Sequence, residues 1–552
     1  MSPQMITLGE KLPLLLAQRG VELIFGIPGV HTIEMYRGLA ASGLRHITPR
    51  HEQGAGFMAD GYARVSGKPG VCFIISGPGM TNILTAMGQA YGDSIPMLVI
   101  STVNAHGRMG TGEGWLHEMP DQSAVVAGVS AFSRTIHRAD ELEKALDAAF
   151  AIFDGQRPRP VHIEIPIDVL KSRVPAALPV RLARVAPPGP APAAIAQAVD
   201  LLRRAQSPVL LVGGGARRAA IPALAERLDA PVAMTTNGRG LMPVGHPLAV
   251  ATSASFAHTR QMIREADVVL AIGTELGPTD YDMYEDGGFA IPGALIRIDI
   301  DPGQILRGVA ADLAPDLCIT ADAAVAVATL LSGLGDLQRT ARGAERAARA
   351  RLDREGFPAA MQADLRLLET LREALPDAVI TGDSTQIVYA GNMGFEAGRN
   401  GGYFNSACGF GTLGYGLPAA IGASLASGGP VLCLSGDGGL QFCLAELASA
   451  REIDAPVILL LHDNSGYGEI KSYMENAGVA PVGVDIYTPD LALIAQACGW
   501  QVLRPRPGSF SDALTEAARA GGPVMIYLDE ATRRALCPAS DDCRPVAETA
   551  SA

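Results

Sequence analysis

The sequence predicts an α/β protein of three doubly wound parallel-sheet domains, and three observations carry that expectation. One rhythm recurs along the 552 residues: a short apolar run, a glycine-rich turn, then helical periodicity. Strands that end in such turns before helices form βαβ units, which place helices on both faces of a parallel sheet and ligand sites at the strand C-termini. The composition agrees, with 63 glycines and only 5% aromatic residues, a mixture suited to close packing of helices on sheets. Finally, two irregular stretches, near residues 174–196 and 335–360, cut the chain into segments of ordinary domain size. The expected domains are residues 1–172, 190–335 and 358–540.

From the N-terminus, "MITLGEKLPLLLAQRG" alternates charge and leucine like an amphipathic helix and lacks the basic-then-apolar plan of a targeting signal. In "RHEQGAGFMADGYAR", Glu52 precedes Gly54, Ala55, Gly56 and Ala59. Small residues at that density admit another backbone or a flat ligand. Glu52 is then either a helix N-terminal charge or a buried acid with a chemical task. "GVCFIISGPGMTN" reads as strand, turn and helix start. "VPAALPVRLARVAPPGPAPAAIA" holds too many prolines for a regular element. "PVLLVGGGARRAA" and "ADVVLAIGTELG" repeat the strand–turn rhythm; the glycines of the former either cradle a nucleotide or pack a helix on a sheet. The charged region after "LLSGLGDL" reads as a solvated helix linking two cores.

The net charge of −13 argues against a nucleic-acid or anionic-membrane partner. The longest apolar runs, such as "APVILLLH", are far shorter than a membrane span. Eight scattered cysteines form no C-x-x-C pair, and several sit in apolar runs as small hydrophobes. A reduced, cytoplasmic setting is expected.

The sharpest chemistry lies in "SGDGGLQF" and "LLHDNSGYG". Asp437 follows one buried strand and Asn464 the next, 28 residues beyond Gly436. One strand–helix–strand step puts both side chains on the same sheet edge. A carboxylate, an amide oxygen and a nearby carbonyl are hard ligands suited to Mg²⁺ or Ca²⁺. Gly436, Gly438 and Gly439 let backbone N–H groups approach a diphosphate at a helix start. The plainer alternative makes "DGG" a turn and Asn464 a loop residue.

The pattern GDG…N resembles the thiamine-diphosphate-dependent enzymes, in the group of acetohydroxyacid synthase, pyruvate oxidase and benzoylformate decarboxylase. The resemblance covers nearly the whole chain through "FGIPGVHTIEMY", "RHEQGAGFMADGYAR", "SGPGMTN", "IDIDPGQI", "GFGTLGYGLPAAIGA" and the GDG…N pair. It implies pyrimidine-binding, central and diphosphate-binding domains in that order, with thiamine diphosphate and Mg²⁺ as cofactors. By this resemblance Glu52 contacts N1′ of the aminopyrimidine ring and favours its imino tautomer, whose 4′-imino group removes the C2 proton. Asn82, Thr385 and Gln386 fall at cofactor-binding positions, the last two near the diphosphate, although a turn reading suits that short motif nearly as well. Leu413 matches the bulky residue that bends the cofactor, and the Gly411 carbonyl would hold the 4′-amino group. Asp437, Asn464 and the Gly466 carbonyl match the metal shell.

Departures narrow the expectation. "HPLAVATSASFAHTR" and "AIGTELGPTDYDMYEDG" do not match the flavin-contacting pattern of acetohydroxyacid synthases, so FAD is not carried over. His117, in "GWLHEMPDQ", stands where those synthases have glutamine; it is either a proton donor to the carbanion left after CO₂ loss or a structural hydrogen-bonder. No counterpart of the paired histidines of pyruvate decarboxylases is visible. His31 and Val30 fall at the pocket mouth, and Glu469 and Ile470 where relatives line the substrate pocket. Glu469 is charged where relatives are mainly apolar, and Glu113, Glu118 and Asp121 add acidity; they make either an anionic pocket for a cationic substrate tail or a solvated surface. Together "FGIPGVHTIEMYRGL", "WLHEMPDQ" and "GTELGPTDYDMY" look most like 5-guanidino-2-oxopentanoate decarboxylases. The leading expectation is a non-oxidative 2-oxo acid decarboxylase, a homodimer or homotetramer with active sites between subunits. An acetolactate-synthase-like carboligase is the alternative. A non-catalytic nucleotide-binding protein would have no need of Glu52, Leu413, Asp437 and Asn464 together.

Overall fold

The computed structural model describes residues 4–536 except 183, 288–289 and 308–313. Residues 537–540 of the third expected domain, with Cys537 and Cys543, lie outside the described residues. The six described cysteines are all free thiols. No described helix is long and apolar enough to cross a membrane.

Three six-stranded sheets, parallel throughout, follow one another along the chain. The first holds β1 (Leu23–Gly26), β2 (Arg45–Ile47), β3 (Gly70–Ile74), β4 (Met97–Val103), β5 (Phe132–Thr135) and β6 (Val161–Pro166), in the order β2-β1-β3-β4-β6-β5. The second holds β7 (Val209–Val212), β8 (Val232–Met234), β9 (Ala249–Val250), β10 (Val268–Ile272), β11 (Ala294–Asp299) and β12 (Leu317–Thr320), in the order β9-β8-β7-β10-β11-β12. The third holds β13 (Val379–Gly382), β14 (Tyr403–Asn405), β15 (Val431–Gly436), β16 (Val457–Asp463), β17 (Gln501–Leu503) and β18 (Val524–Asp529), in the order β14-β13-β15-β16-β18-β17. The first and third sheets thus share one topology. The middle one has the order typical of dinucleotide folds. A short antiparallel ribbon, Met5–Thr7 with Arg173–Pro175, closes the first unit.

Seven helices bear on the site: α1 (Glu52–Ser66), α2 (Pro78–Asp93), α3 (Gln386–Gly394), α4 (Gly416–Ser427), α5 (Asp437–Gln441), α6 (Glu446–Glu452) and α7 (Gly468–Asn476). The small-residue face of α1 lies against α4. A methyl group at Gly61 would stand 2.7 Å from the Ala419 carbonyl carbon, and one at Gly422 would stand 2.6 Å from that of Met58. The backbones therefore meet directly, and one apolar core runs from Phe57 and Met58 into Leu417 and Ile421. At its rim the buried Arg64 guanidinium donates to Asp60 at 2.6 Å, Asp93 at 2.5 Å and Asn237 at 3.0 Å, while Tyr415 donates to Asp60 at 2.5 Å. These partners come from all three units, and breaking such a buried cluster costs about 3–5 kcal/mol.

Both irregular stretches differ from expectation at their edges. Val174 and Pro175 lie in the ribbon, and Pro192 opens a helix, Pro192–Arg204, where its missing N–H costs nothing. The charged region does form a helix, Gly343–Arg351, solvated along one face only. Its Ala347 and Ala350 are fully buried in the central core, and Asp353 accepts from the backbone of His258 at 2.9 Å and Thr259 at 2.8 Å.

His162, on β6, is fully buried between Ser101 Oγ at 2.8 Å and Ser133 Oγ at 2.7 Å. Burial pushes its pKa down to about 3. The unfolded chain takes up this proton below its ordinary pKa of about 6.5 and the folded ring does not, so the stability present above pH 6.5 is lost as pH falls toward 3. The loss is about 1.4 kcal/mol per pH unit from this group. Melting curves of the wild type from pH 7 to 5 should therefore fall more steeply than those of His162→Gln. Parallel curves would contradict the assignment.

Candidate functional site

In the third sheet β13 lies between β14 and β15, so the chain reverses its direction of spread there, and ligands settle outside strand C-termini at such points. Thr385 and Gln386 leave β13 at the start of α3, and Gly436 and Asp437 end β15 at the start of α5. The two segments touch: a methyl group at Gly436 would lie 3.3 Å from Thr385 Oγ1. Those at Gly438 and Gly439 would meet the Tyr467 ring at 2.8 Å and the Asp383 carboxylate at 3.0 Å. The glycines are thus required by packing as well as suited to a ligand.

Asn464 follows β16, the neighbour of β15, and its N–H donates to Asp437 Oδ1 at 3.3 Å. One end of the Asn464 amide stands 3.0 Å from Asp437 Oδ1 and 2.9 Å from the Gly466 carbonyl oxygen. With nitrogen in that place the amide donates to both. With oxygen there, three hard oxygens face one another at about the edge length of an octahedron around an ion 2.0–2.1 Å away. Asp437 is 1% exposed, and burial pushes its pKa up against hydrogen bonds from Thr488 Oγ1 at 2.9 Å and the Asn464 backbone. A cation at this point would relieve that penalty. Among the described residues no three His, Cys, Asp or Glu gather around a metal position; a cation at this point would meet one carboxylate, one amide and one backbone carbonyl.

The loop with Gly411 and Leu413 is anchored beside it. Buried Asp383 accepts from the N–H of Gly414 at 2.9 Å and of Gly416 at 3.4 Å, and burial raises its pKa to about 6. Gly411 holds a φ of +72°, a left-handed turn that exposes it, and Leu413 is half-buried beyond it. On its other side the loop reaches the first unit, where Thr412 N–H donates to Gln89 at 3.4 Å and Phe410 lies across Gly88 of α2.

In the first unit Glu52 is the first residue of α1, and Asn82 Nδ2 donates to its Oε2 at 2.9 Å. His31 and His117, 86 residues apart, meet edge to face with ring centroids 5.3 Å apart. His31 Nδ1 pairs with Ser76 Oγ at 2.6 Å, and burial together with the neighbouring His117 lowers its pKa. His117 has a left-handed backbone, φ +59°, and its buried Nδ1 has no partner. It rests on Gly77, where a methyl group would stand 3.0 Å from His117 Cβ.

The remaining pocket candidates are Val30 and Ile470, 63% and 53% exposed, and Glu469. Glu469, in the first turn of α7, accepts from Gln386 Nε2, and burial raises its pKa. The acids of residues 113–121 have local partners instead. Glu118 accepts from Thr111 Oγ1 and from the N–H groups of Gly112, Gly114 and Trp115 at 2.7–3.0 Å; Glu113 takes the Trp115 indole at 3.0 Å, and Asp121 caps a helix through Ala124 N–H at 2.8 Å. Their acidity folds a loop. The Glu52 group and the Asp437 group stay in separate units, with no hydrogen bond or ion pair between them among the described residues.

Three family profiles match in order: the N-terminal TPP binding domain of thiamine pyrophosphate enzymes over residues 6–125, their central domain over 195–330, and their C-terminal TPP binding domain over 358–528. A probable 2-ketoarginine decarboxylase of Pseudomonas aeruginosa is 45% identical over 97% of this chain and 96% of its own. The chain belongs to the thiamine pyrophosphate enzymes. Other members are similar at lower identity. The acetolactate synthase isozyme 1 large subunit of Escherichia coli is 32% identical over 93% of this chain and 92% of its own. A probable acetolactate synthase large subunit of Methanocaldococcus jannaschii is 31% identical over 95% and 92%.

For a thiamine pyrophosphate enzyme, sequence reasoning passed over three supports. Asp383 stands two residues before Thr385, in a short motif that suits a turn nearly as well as a ligand site. Ser76 and Gly77, in "SGPGMTN", place the two histidines. Buried Gln122 accepts from Gly77 N–H at 2.9 Å and donates to Glu164 at 2.9 Å, and nothing in its surroundings in sequence marks it.

Proposed function

We propose that this protein is a non-oxidative decarboxylase that converts 5-guanidino-2-oxopentanoate to CO₂ and 4-guanidinobutanal with thiamine diphosphate and Mg²⁺. The observation that carries the substrate is the 45% identity, over nearly both full lengths, to a relative named for 2-ketoarginine, which is this same acid. When bound, thiamine diphosphate supplies the carbon that adds to the 2-oxo group and takes up the electron pair released with CO₂. Asp437, Asn464 and the Gly466 carbonyl would hold Mg²⁺, with Gly436, Gly438, Gly439, Thr385 and Gln386 placed to hold the diphosphate. Leu413 and the Gly411 carbonyl would position the cofactor's rings. Glu52, held by Asn82, would share a proton with N1′. His117, backed by His31, would hand a proton to the product carbon. Val30 and Ile470 line the pocket.

The two groups of residues lie in separate units of one chain, and we propose that a homodimer or homotetramer joins Glu52 of one subunit to Asp437 of another, in the cytoplasm. Exposed Val30, Leu116, Phe442, Ile470 and Tyr473 supply apolar surface for such an assembly. The similarity to acetolactate synthases favours a second reading, a carboligase joining two 2-oxo acids. Product analysis with thiamine diphosphate and Mg²⁺ decides between them: aldehyde from the guanidino acid supports decarboxylation, and acetolactate from pyruvate without that aldehyde supports the carboligase.

Glu469 is proposed to recognise the guanidinium. Its carboxylate bears a burial penalty that the neutral Gln386 amide only partly offsets, and a cationic fork making two parallel hydrogen bonds would relieve it. Glu469→Gln should raise KM for the guanidino acid by about tenfold or more and change activity on an uncharged 2-oxo acid much less. Equal effects on both substrates would reduce Glu469 to a structural acid.

A further inference from the structure

We infer that Glu446 is a positioning residue for the Glu52 carboxylate, fastening the start of α1 from the third unit. The inference rests on the proposed role of Glu52. Glu446 is 1% exposed, at the first turn of α6, in a different unit from the backbone it holds. Its Oε1 accepts from the N–H of Arg50 at 3.1 Å and of His51 at 3.1 Å, and its Oε2 accepts from Arg50 N–H at 3.2 Å and Ser449 Oγ at 2.6 Å. These are the two residues directly before Glu52. His51 is the N-cap of α1, extended at φ −148°, and its ring nitrogen accepts from Gln53 N–H at 3.1 Å.

The backbone on both sides of Glu52 is therefore tied, by Glu446 before it and by the cap after it, and Asn82 ties the carboxylate itself. Gly54 completes the arrangement: a methyl group there would stand 2.7 Å from the Glu446 carboxyl carbon. The first glycine after Glu52 is thus the one that admits this carboxylate. Burial pushes the pKa of Glu446 up, and Ser449 with the two backbone donors pulls it back. A charge at this place also complements the helix N-terminus. A buried carboxylate set against two consecutive N–H groups has one geometry available, so the acid two residues on inherits that precision. Misplacing a proton-sharing group by about 1 Å costs on the order of a hundredfold in rate.

Three readouts test this in the full-length protein: amide hydrogen exchange over residues 50–53 without cofactor, calorimetric affinity for thiamine diphosphate with Mg²⁺, and exchange of the bound cofactor's C2 proton followed by NMR after acid quench. In Glu446→Gln the amides should exchange faster, affinity should stay within about threefold, and C2 exchange should slow by about ten- to a hundredfold. If Glu446 acts through Glu52, the double variant Glu52→Gln/Glu446→Gln should exchange no more slowly than Glu52→Gln alone, because groups acting as a unit are not additive. Wild-type C2 exchange in Glu446→Gln, or additive slowing in the double variant, overturns the inference and leaves the role of Glu52 intact. Wild-type exchange in Glu52→Gln overturns that role and the inference with it. Should Glu446→Gln fail to fold, Ser449→Ala, which removes one of the two donors on Oε2, should show the same pattern at about a threefold effect; unchanged C2 exchange there is equally fatal.

Discussion

Glu52→Gln is expected to bind thiamine diphosphate nearly as tightly as the wild type and to turn over about a hundred- to ten-thousandfold more slowly. Glu52 sits at the first position of α1, half-buried, with Asn82 donating to one oxygen at 2.9 Å. That leaves the other oxygen to meet a ring nitrogen. Gln keeps the shape and one acceptor, so cofactor contact survives, but an amide cannot exchange a proton with N1′. Comparable turnover at saturating cofactor would remove Glu52 from the chemistry. The same variant also tests the assembly. If each site takes Glu52 from one subunit and Asp437 from another, mixing inactive Glu52→Gln with inactive Asp437→Ala should restore roughly a quarter of wild-type activity, because random pairing leaves that share of sites with both residues. No recovery after subunit exchange would place both residues in one chain's site.

The three sheets were legible because buried parallel strands read as unbroken apolar runs. Gly70–Ile74 and Val457–Leu461 are fully buried along their length. Strand order was not legible. Nothing in the local pattern separates the β2-β1-β3-β4-β6-β5 order of the first sheet from the dinucleotide-type order of the second, since order is decided by which helix faces fit which strand pairs. The helix at Gly343–Arg351 shows the same limit on a smaller scale. Three arginines and a glutamate among its nine residues suggest water all round, yet two alanines suffice to bury one face when the neighbouring core is shallow.

In the site, Asp437 and Asn464 were legible because their spacing is a property of one βαβ step. The histidine pair was not, because 86 residues and three strands separate His31 from His117. The acids of residues 113–121 mark the opposite case. In sequence they suit a cationic ligand and a solvated loop equally well. The fold decides, because four donors of one loop converge on Glu118. The small residues after Glu52 serve three partners at once: Gly54 admits Glu446, Gly56 packs on Ala86, and Gly61 meets the Ala419 backbone. Only the density of those glycines, not their assignments, could be read from the chain.

Asp437→Ala is expected to abolish Mg²⁺-dependent retention of thiamine diphosphate, with affinity falling by about a hundredfold to a few thousandfold. Asp437 is the one charged side chain among the three proposed metal donors, the others being an amide and a backbone carbonyl. Its removal leaves a divalent cation with neutral protein ligands and the diphosphate with an uncompensated charge. Breaking a buried charge pair from one side costs about 3–5 kcal/mol, which is two to three and a half powers of ten in affinity. The fold itself should survive. Burial already raises the pKa of this acid, so a neutral side chain at that place relieves a penalty, and Asp437→Ala should melt no lower than the wild type stripped of metal. Calorimetry of both proteins, with Mg²⁺ and with a chelator, separates the effects. Wild-type protein with chelator should resemble Asp437→Ala, and added Mg²⁺ should restore binding only to the former. Unchanged affinity in the variant would show that the metal, if it binds, is held elsewhere.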